Sequence, residues 1–182
     1  MRAIQQGEPQ PTVQALADVY YDVRQGLGFN KAPDVYGAFP TDPYSHTPAG
    51  QGAKQPGMTG QVKEEILTRL VEMGVFVERG VLAFKPVLLR AREFTGQATP
   101  FTYVDVEGQA QTIDLPAGAL AYIFCQVPVV VLSGQEEKIE VRFTDGRVRE
   151  VTGHALDAEV SRHVFGRDGH IQQLTVHTRA AL

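Results

Sequence analysis

Apolar positions recur at helical spacing twice in the first seventy-odd residues and then switch to strand-like alternation for the rest of the chain. Val13, Leu16, Val19, Tyr20, Val23 and Leu27 fall on one stripe of a helix predicted over 12–26. Thr12 is its candidate N-cap, and Gly26 and Gly28 stop it. A second helix is predicted over 61–73, capped by Thr59, with Glu64 and Glu65 early and Arg69 late, as the helix dipole favours. Val62, Ile66, Leu70 and Met73 form its apolar stripe, Leu67 and Val71 widen it, and Gly74 ends it.

Beyond Gly74 the period becomes two. VFVERGVLAF reads as strand, charged turn, strand, and FTYVDV and QTIDL flank a Glu107–Gly108 hairpin turn. LAYIFC and VPVVVL are near-continuous apolar runs, which marks strands covered on both faces. KIEVRFTDGRVREVTG is a hairpin turning at Asp145–Gly146, and HIQQLTVHT is a last alternating strand. Residues 156–165 fit a helix turn or a strand. The expected fold is α+β: two amphipathic helices with a long ordered loop, followed by an antiparallel β-sandwich. A helical segment, 1–74, thus precedes a β segment, 75–182. Phe84, Phe101, Tyr122, Phe124, Val129, Val131, Val141 and Phe143 are its candidate core.

Between the two helices the pattern lapses. Residues 29–60 contain no plausible helix or strand, and connections this long are uncommon in compact domains unless functional or disordered. Phe29, Val35, Tyr36, Phe39, Tyr44 and Met58 argue against disorder. Pro33, Pro40, Pro43, Pro48 and Pro56 reduce the entropy lost on ordering. The loop is expected to pack, presenting Asp34, Asp42, His46, Lys54 and Gln55.

Composition narrows the function classes. The chain has 182 residues, 43% hydrophobic and 21% charged, with 17 Lys+Arg against 21 Asp+Glu. That balance, with no basic stretch, lacks the footprint of a nucleic-acid binder. The first dozen residues hold no apolar run of a secretory signal, and the longest apolar runs are too short to span a bilayer. The single cysteine, Cys125, excludes an internal disulfide framework and agrees with a reducing, cytoplasmic setting.

Candidate chemistry gathers around the loop. Gly57–Gly60 at a helix start offers backbone N–H groups to an anion, though an ordinary capped helix has the same sequence. Asp42, Tyr44 and His46 can exchange hydrogen bonds with sugar hydroxyls or phosphate, or serve local turns. Asp34 and Asp42 form no fixed carboxylate pair, so no catalytic residue is assigned. Cys125 reads as a buried structural thiol inside a strand. His154, His163, His170 and His177 show no metal-ligand spacing, and neither a cofactor motif nor a metal site is expected.

The stretch QPGMTGQVKEEILTRLVEMGVFVERGVLAFKPVLL resembles the end of the (α/α)6-barrel glycoside hydrolases and phosphorylases, the cellobiose- and maltose-phosphorylase-like group. There a Gly-Thr loop precedes the last barrel helix, which runs into a C-terminal β-sandwich. The resemblance makes Thr59–Gly60 that loop, 61–73 the last barrel helix and 12–26 the one before. It implies a C-terminal part of a carbohydrate-active enzyme whose general acid lies on upstream barrel helices. The implied partners are a carbohydrate or phosphate ligand and the missing barrel or another subunit, and neither nucleic acid nor a membrane. The implied contacts are Asp42, Tyr44, His46, Gln55, Thr59 and Gly60. The order Gly57, Met58, Thr59, Gly60 departs from the phosphate-holding Thr-Gly pair of that group. The alternative is a non-catalytic β-sandwich module for binding or subunit assembly.

Overall fold

The computed structural model describes residues 2–27, 67, 69–134 and 136–179. The expected ordered loop and most of the second predicted helix therefore lie outside the described residues. The chain divides into two compact units, Met1–Leu70 and Val71–Leu182.

In the first unit a short helix, α1 (Arg2–Gln5), precedes α2 (Gln10–Leu27). Sequence reading missed α1 and placed the start of α2 two residues late. The Pro9 carbonyl accepts from the amides of Thr12 (2.9 Å) and Val13 (3.2 Å), so Thr12 is inside the helix rather than its cap. Pro11 is tolerated because first-turn amides have no intrahelical acceptor. The buried positions also differ from the expected stripe. Ile4, Val13 and Ala17 are buried, whereas Leu16 and Val19 are 57% and 65% exposed. At 3.6 residues per turn, Val19 lies about 120° around the helix from Val13, too far to share one buried face. Leu67, in helical conformation, is 62% exposed.

Gly74 ends the helical stretch as expected. Its φ of +72° is left-handed, and a Cβ there would sit 2.1 Å from the Lys85 carbonyl carbon. The backbone crossing is fixed by the Lys85 amide donating to the Gly74 carbonyl at 2.7 Å. β1 (Val75–Glu78) and β2 (Val81–Phe84) follow as a hairpin whose turn residues, Arg79 and Gly80, both have positive φ. That is the turn geometry whose twist matches paired strands. β3 (Thr99–Val104) and β4 (Ala110–Leu115) form a second hairpin.

The remaining strands are β5 (Ala119–Phe124), β6 (Val127–Ser133), β7 (Lys138–Phe143), β8 (Val148–Thr152) and β9 (Ile171–Thr178). They form one sheet in the order β5-β6-β9-β7-β8. The open segment 156–165 contains a helix, α3 (Ala158–Gly166). Asp157 caps it, accepting from the Val160 amide at 2.8 Å. This helix changes the topology. It carries the chain back across the sheet so that β9 enters between β6 and β7, parallel to β6 and antiparallel to β7. A parallel neighbour needs such a crossover, which no tight turn supplies. The expectation of wholly antiparallel pairing is therefore corrected at β6–β9. A second full sheet, which a sandwich requires, does not form among the described residues.

Register places Val129, Val131, Ile139, Val141, Leu174 and Val176 on one face, all buried. Val160 and Val164 of α3 are buried too, and Phe165 meets Phe124 of β5 edge-on at 6.4 Å. The β1–β2 hairpin is stitched to the approach of α3. Phe84 donates to the His154 carbonyl (2.7 Å), Leu156 to that of Leu82 (2.9 Å), and the Leu82 amide to the buried Ser161 hydroxyl (3.0 Å). Ser161 in turn donates to the Asp157 carbonyl at 2.7 Å, so its hydroxyl is satisfied in both roles. On the opposite face, Phe101 and Ile113 of the β3–β4 hairpin pack with Ala121, Val130 and Leu132. The apolar run of β6 is covered on both faces, as its sequence predicts, whereas β5, at the sheet edge, leaves Ile123 38% exposed, contrary to the expectation. No helix among the described residues is long and apolar enough to cross a membrane.

Candidate functional site

One end of the five-stranded sheet collects four turns. They are the β3–β4 turn, the Cys125–Gln126 turn between β5 and β6, Thr144 after β7, and the Asp168–His170 turn before β9. The first and last approach closely, since a Cβ on Gly169 would lie 3.4 Å from Val106 Cγ2. Between these turns is a cleft of about 250 Å³ whose walls include Tyr103, Asp105, Gln111, Gln126, Thr144 and Gln172. Ligand pockets commonly measure ~300–1,000 Å³, so this one has room for a single small molecule or ring.

Asp105 organises the cleft. Its carboxylate accepts from the amides of Gln109 (2.9 Å) and Glu107 (3.0 Å) and from Gln111 Nε2 (2.8 Å). The Gln109 amide first, then the Gln111 side chain, hold this carboxyl below its ordinary range despite partial burial. Gln126 reaches the same turn, its Nε2 3.4 Å from the Asp105 carbonyl. Burial, with the Asp105 charge beside it, pushes the Tyr103 phenol up and keeps it a neutral hydroxyl. The walls thus hold a half-buried phenol, a fixed carboxylate, side-chain amides and the Thr144 hydroxyl.

The turn residues are conformationally committed. Cys125 and Gln126 have φ of 49° and 62°, unusual for residues with a Cβ, and they close the β5–β6 hairpin in two residues. Cys125 thus stands in a turn and is half-buried, rather than inside a strand as expected.

At the same end lies a second cluster, which spacing in the sequence concealed. His163, on the last turn of α3, and His170, just before β9, both address Asp168. His163 Nδ1 is 2.6 Å from Asp168 Oδ2 and His170 Nδ1 is 3.0 Å from Oδ1. An ionised carboxylate only accepts, so each imidazole donates. The rings lie 4.6 Å apart, tilted by 32°. The His170 amide also donates to Oδ1 at 3.1 Å. Burial pushes the Asp168 carboxyl up, but the hydrogen bonds from His163 and His170 together outweigh it and hold it at about 2. Six residues separate the histidines. The left-handed Arg167 at the helix end (φ 50°) and Gly169 (φ 77°) reverse the chain and bring them together. The one sequence-level signal was an aspartate and a glycine between two histidines at a helix end.

A third polar group lies on the open face of β7, β8 and β9. Lys138 Nζ meets Glu150 at 2.9 Å and Glu136 and Glu140 at 3.2 Å, and His177 Nε2 meets Glu140 at 2.9 Å. The carboxylates of Glu150, Glu136 and Glu140, in that order, hold the Lys138 ammonium well above its ordinary range. Asp42, Tyr44, His46, Gln55, Thr59 and Gly60, the contacts the sequence nominated, all lie outside the described residues. In comparisons with known proteins, no family model matches this chain and no curated protein matches it.

Proposed function

We propose that this chain is the C-terminal part of a carbohydrate-active enzyme and that its β unit holds one hydroxyl-rich ring in the Tyr103–Asp105 cleft. The observation that carries the reading is the lining of that cleft. A half-buried aromatic ring, a carboxylate fixed by three donors, and the amides of Gln111, Gln126 and Gln172 match the alternating apolar faces and hydroxyl edges of a sugar. The resemblance of residues 55–89 to the end of the (α/α)6-barrel enzymes supports the same class. In that reading the general acid belongs to the barrel, this chain alone is inactive, and Asp42, Tyr44, His46, Gln55, Thr59 and Gly60 supply a second set of contacts to glycan or phosphate.

Titration of the chain with glucose, cellobiose and inorganic phosphate, followed by amide chemical shifts, tests the assignment. Saturable shifts with either sugar at residues 104–111, 126 and 169–172 are expected in the millimolar range. Shifts confined to residues 42–60 would move the ligand to that segment, and no shift with any of the three would overturn the carbohydrate reading. A second reading, assembly with another subunit, draws on Leu16, Val19 and Leu67, which are all more than half exposed. Concentration-dependent self-association abolished by Leu16→Glu would favour it.

A further inference from the structure

We propose that His163, Asp168 and His170 form a binding site for a divalent transition metal of the zinc class. The three side chains offer one donor atom each, two imidazole nitrogens and a carboxylate oxygen, all within 4.8 Å of one another. Two imidazoles and one carboxylate are a donor set that suits zinc and its neighbours, and three protein ligands leave a coordination position open to solvent or substrate. A tetrahedral zinc about 2.0–2.2 Å from each donor places the donors about 3.3 Å apart. His163 and His170 now meet different oxygens of Asp168, at 2.6 and 3.0 Å, and the three donors, within 4.8 Å of one another, reach that spacing by side-chain rotation.

The backbone behind the donors is already fixed. His163 stands on a regular helix, Asp168 follows the left-handed helix cap, and the His170 amide is bonded to Asp168 Oδ1. The His170 carbonyl accepts from the Thr144 amide at 3.1 Å and from its hydroxyl at 3.4 Å, which ties the turn to β7. Ordering the ligands therefore costs little when the ion arrives. The carboxylates around Lys138 make a useful contrast. That group already contains its cation, an ammonium touching three acids, and offers a metal only competition. Among the described residues, no Lys or Arg pairs with Asp168. When a metal takes Nδ1, the proton now shared with the carboxylate moves to Nε2 of the same ring, so each imidazole changes tautomer and Asp168 is freed to ligate. Gly169, between two of the donors, also lines the cleft, which puts the site at its rim.

The test is titration of chelator-treated full-length chain with Zn(II) by calorimetry and with Co(II) by visible absorption. One equivalent of zinc is expected to bind, and Co(II) to give ligand-field bands of a low-coordinate site. His163→Ala and His170→Ala should each weaken binding by at least tenfold, while His177→Ala and Cys125→Ser leave it unchanged. His170 is well exposed, so its variant keeps the test open if His163→Ala fails to fold. No binding at millimolar metal would overturn the proposal. So would full binding in both His163→Ala and His170→Ala, or loss of binding in His46→Ala with His170→Ala unaffected.

Discussion

The two faces of the five-stranded sheet are built from the same strands and behave differently. On one face Val129, Val131, Ile139, Val141, Leu174 and Val176 are sealed beside the buried positions of α3. On the other, β5 and β6 present Ala121, Val130 and Leu132 to the β3–β4 hairpin, while β7 and β9 present Lys138, Glu140 and His177 to solvent. One layer of cover changes at mid-sheet, and the sequence follows it. β6, covered on both faces, is apolar from Val127 to Leu132, and the half-covered β7 alternates. Amphipathicity here reports what lies over each face rather than any property of the strand itself.

Truncation on the sealed face should be the most damaging change. Leu174→Ala leaves a void that β6, β7 and β9 cannot close, and a loss of about 2–5 kcal/mol is expected in chemical denaturation. An effect below about 1 kcal/mol would mean that this face is loosely packed. The hairpin-covered face should respond less. Ile113 is half-buried, so Ile113→Ala is expected to cost about 1–2 kcal/mol. If it matches Leu174→Ala, the β3–β4 hairpin belongs to the main core rather than to an added cover.

Acid should act at the turn end of the sheet before the sealed face yields. The Asp168 carboxyl, ordinarily near 3.8, is held at about 2 in the folded chain. Its contribution is therefore complete above the ordinary value and is lost as pH falls from there toward 2. The stability–pH slope of Asp168→Asn across that window should be shallower than that of the unaltered chain, and equal slopes would remove Asp168 from the acid response. The smallest effect is expected on the open face. Lys138→Met exchanges exposed ion pairs for an apolar side chain, and the melting temperature should change little, with the difference shrinking further in high salt. A large, salt-insensitive loss there would mean that the polar face is covered by something.

Much of this architecture is legible in the chain. The six hairpin-forming strands from β3 to β8, the β3–β4 and β7–β8 turns and the stop at Gly74 follow from apolar patterning and from glycine and aspartate, because these act over a few residues. Glu107–Gly108 and Asp145–Gly146 are local turn chemistry, and Gly74 is needed where backbone meets backbone. The face of α2 was misread because its apolar positions spread too far around the helix for periodicity to choose between them. Burial of Ile4, Val13 and Ala17 settled the choice.

What the sequence by itself determined is the α+β class, the strand inventory and the doubly covered character of β6. Each rests on the residue's own conformational preference or on the solvent exposure of its immediate neighbours. Tertiary structure alone decided that β9 lies parallel to β6, that Cys125 and Gln126 close a turn, and that His163 and His170 meet over Asp168. Those outcomes depend on the path α3 takes across the sheet and on left-handed turns at Arg167 and Gly169. Contacts set by the closing of a long chain path leave no period in the sequence to read.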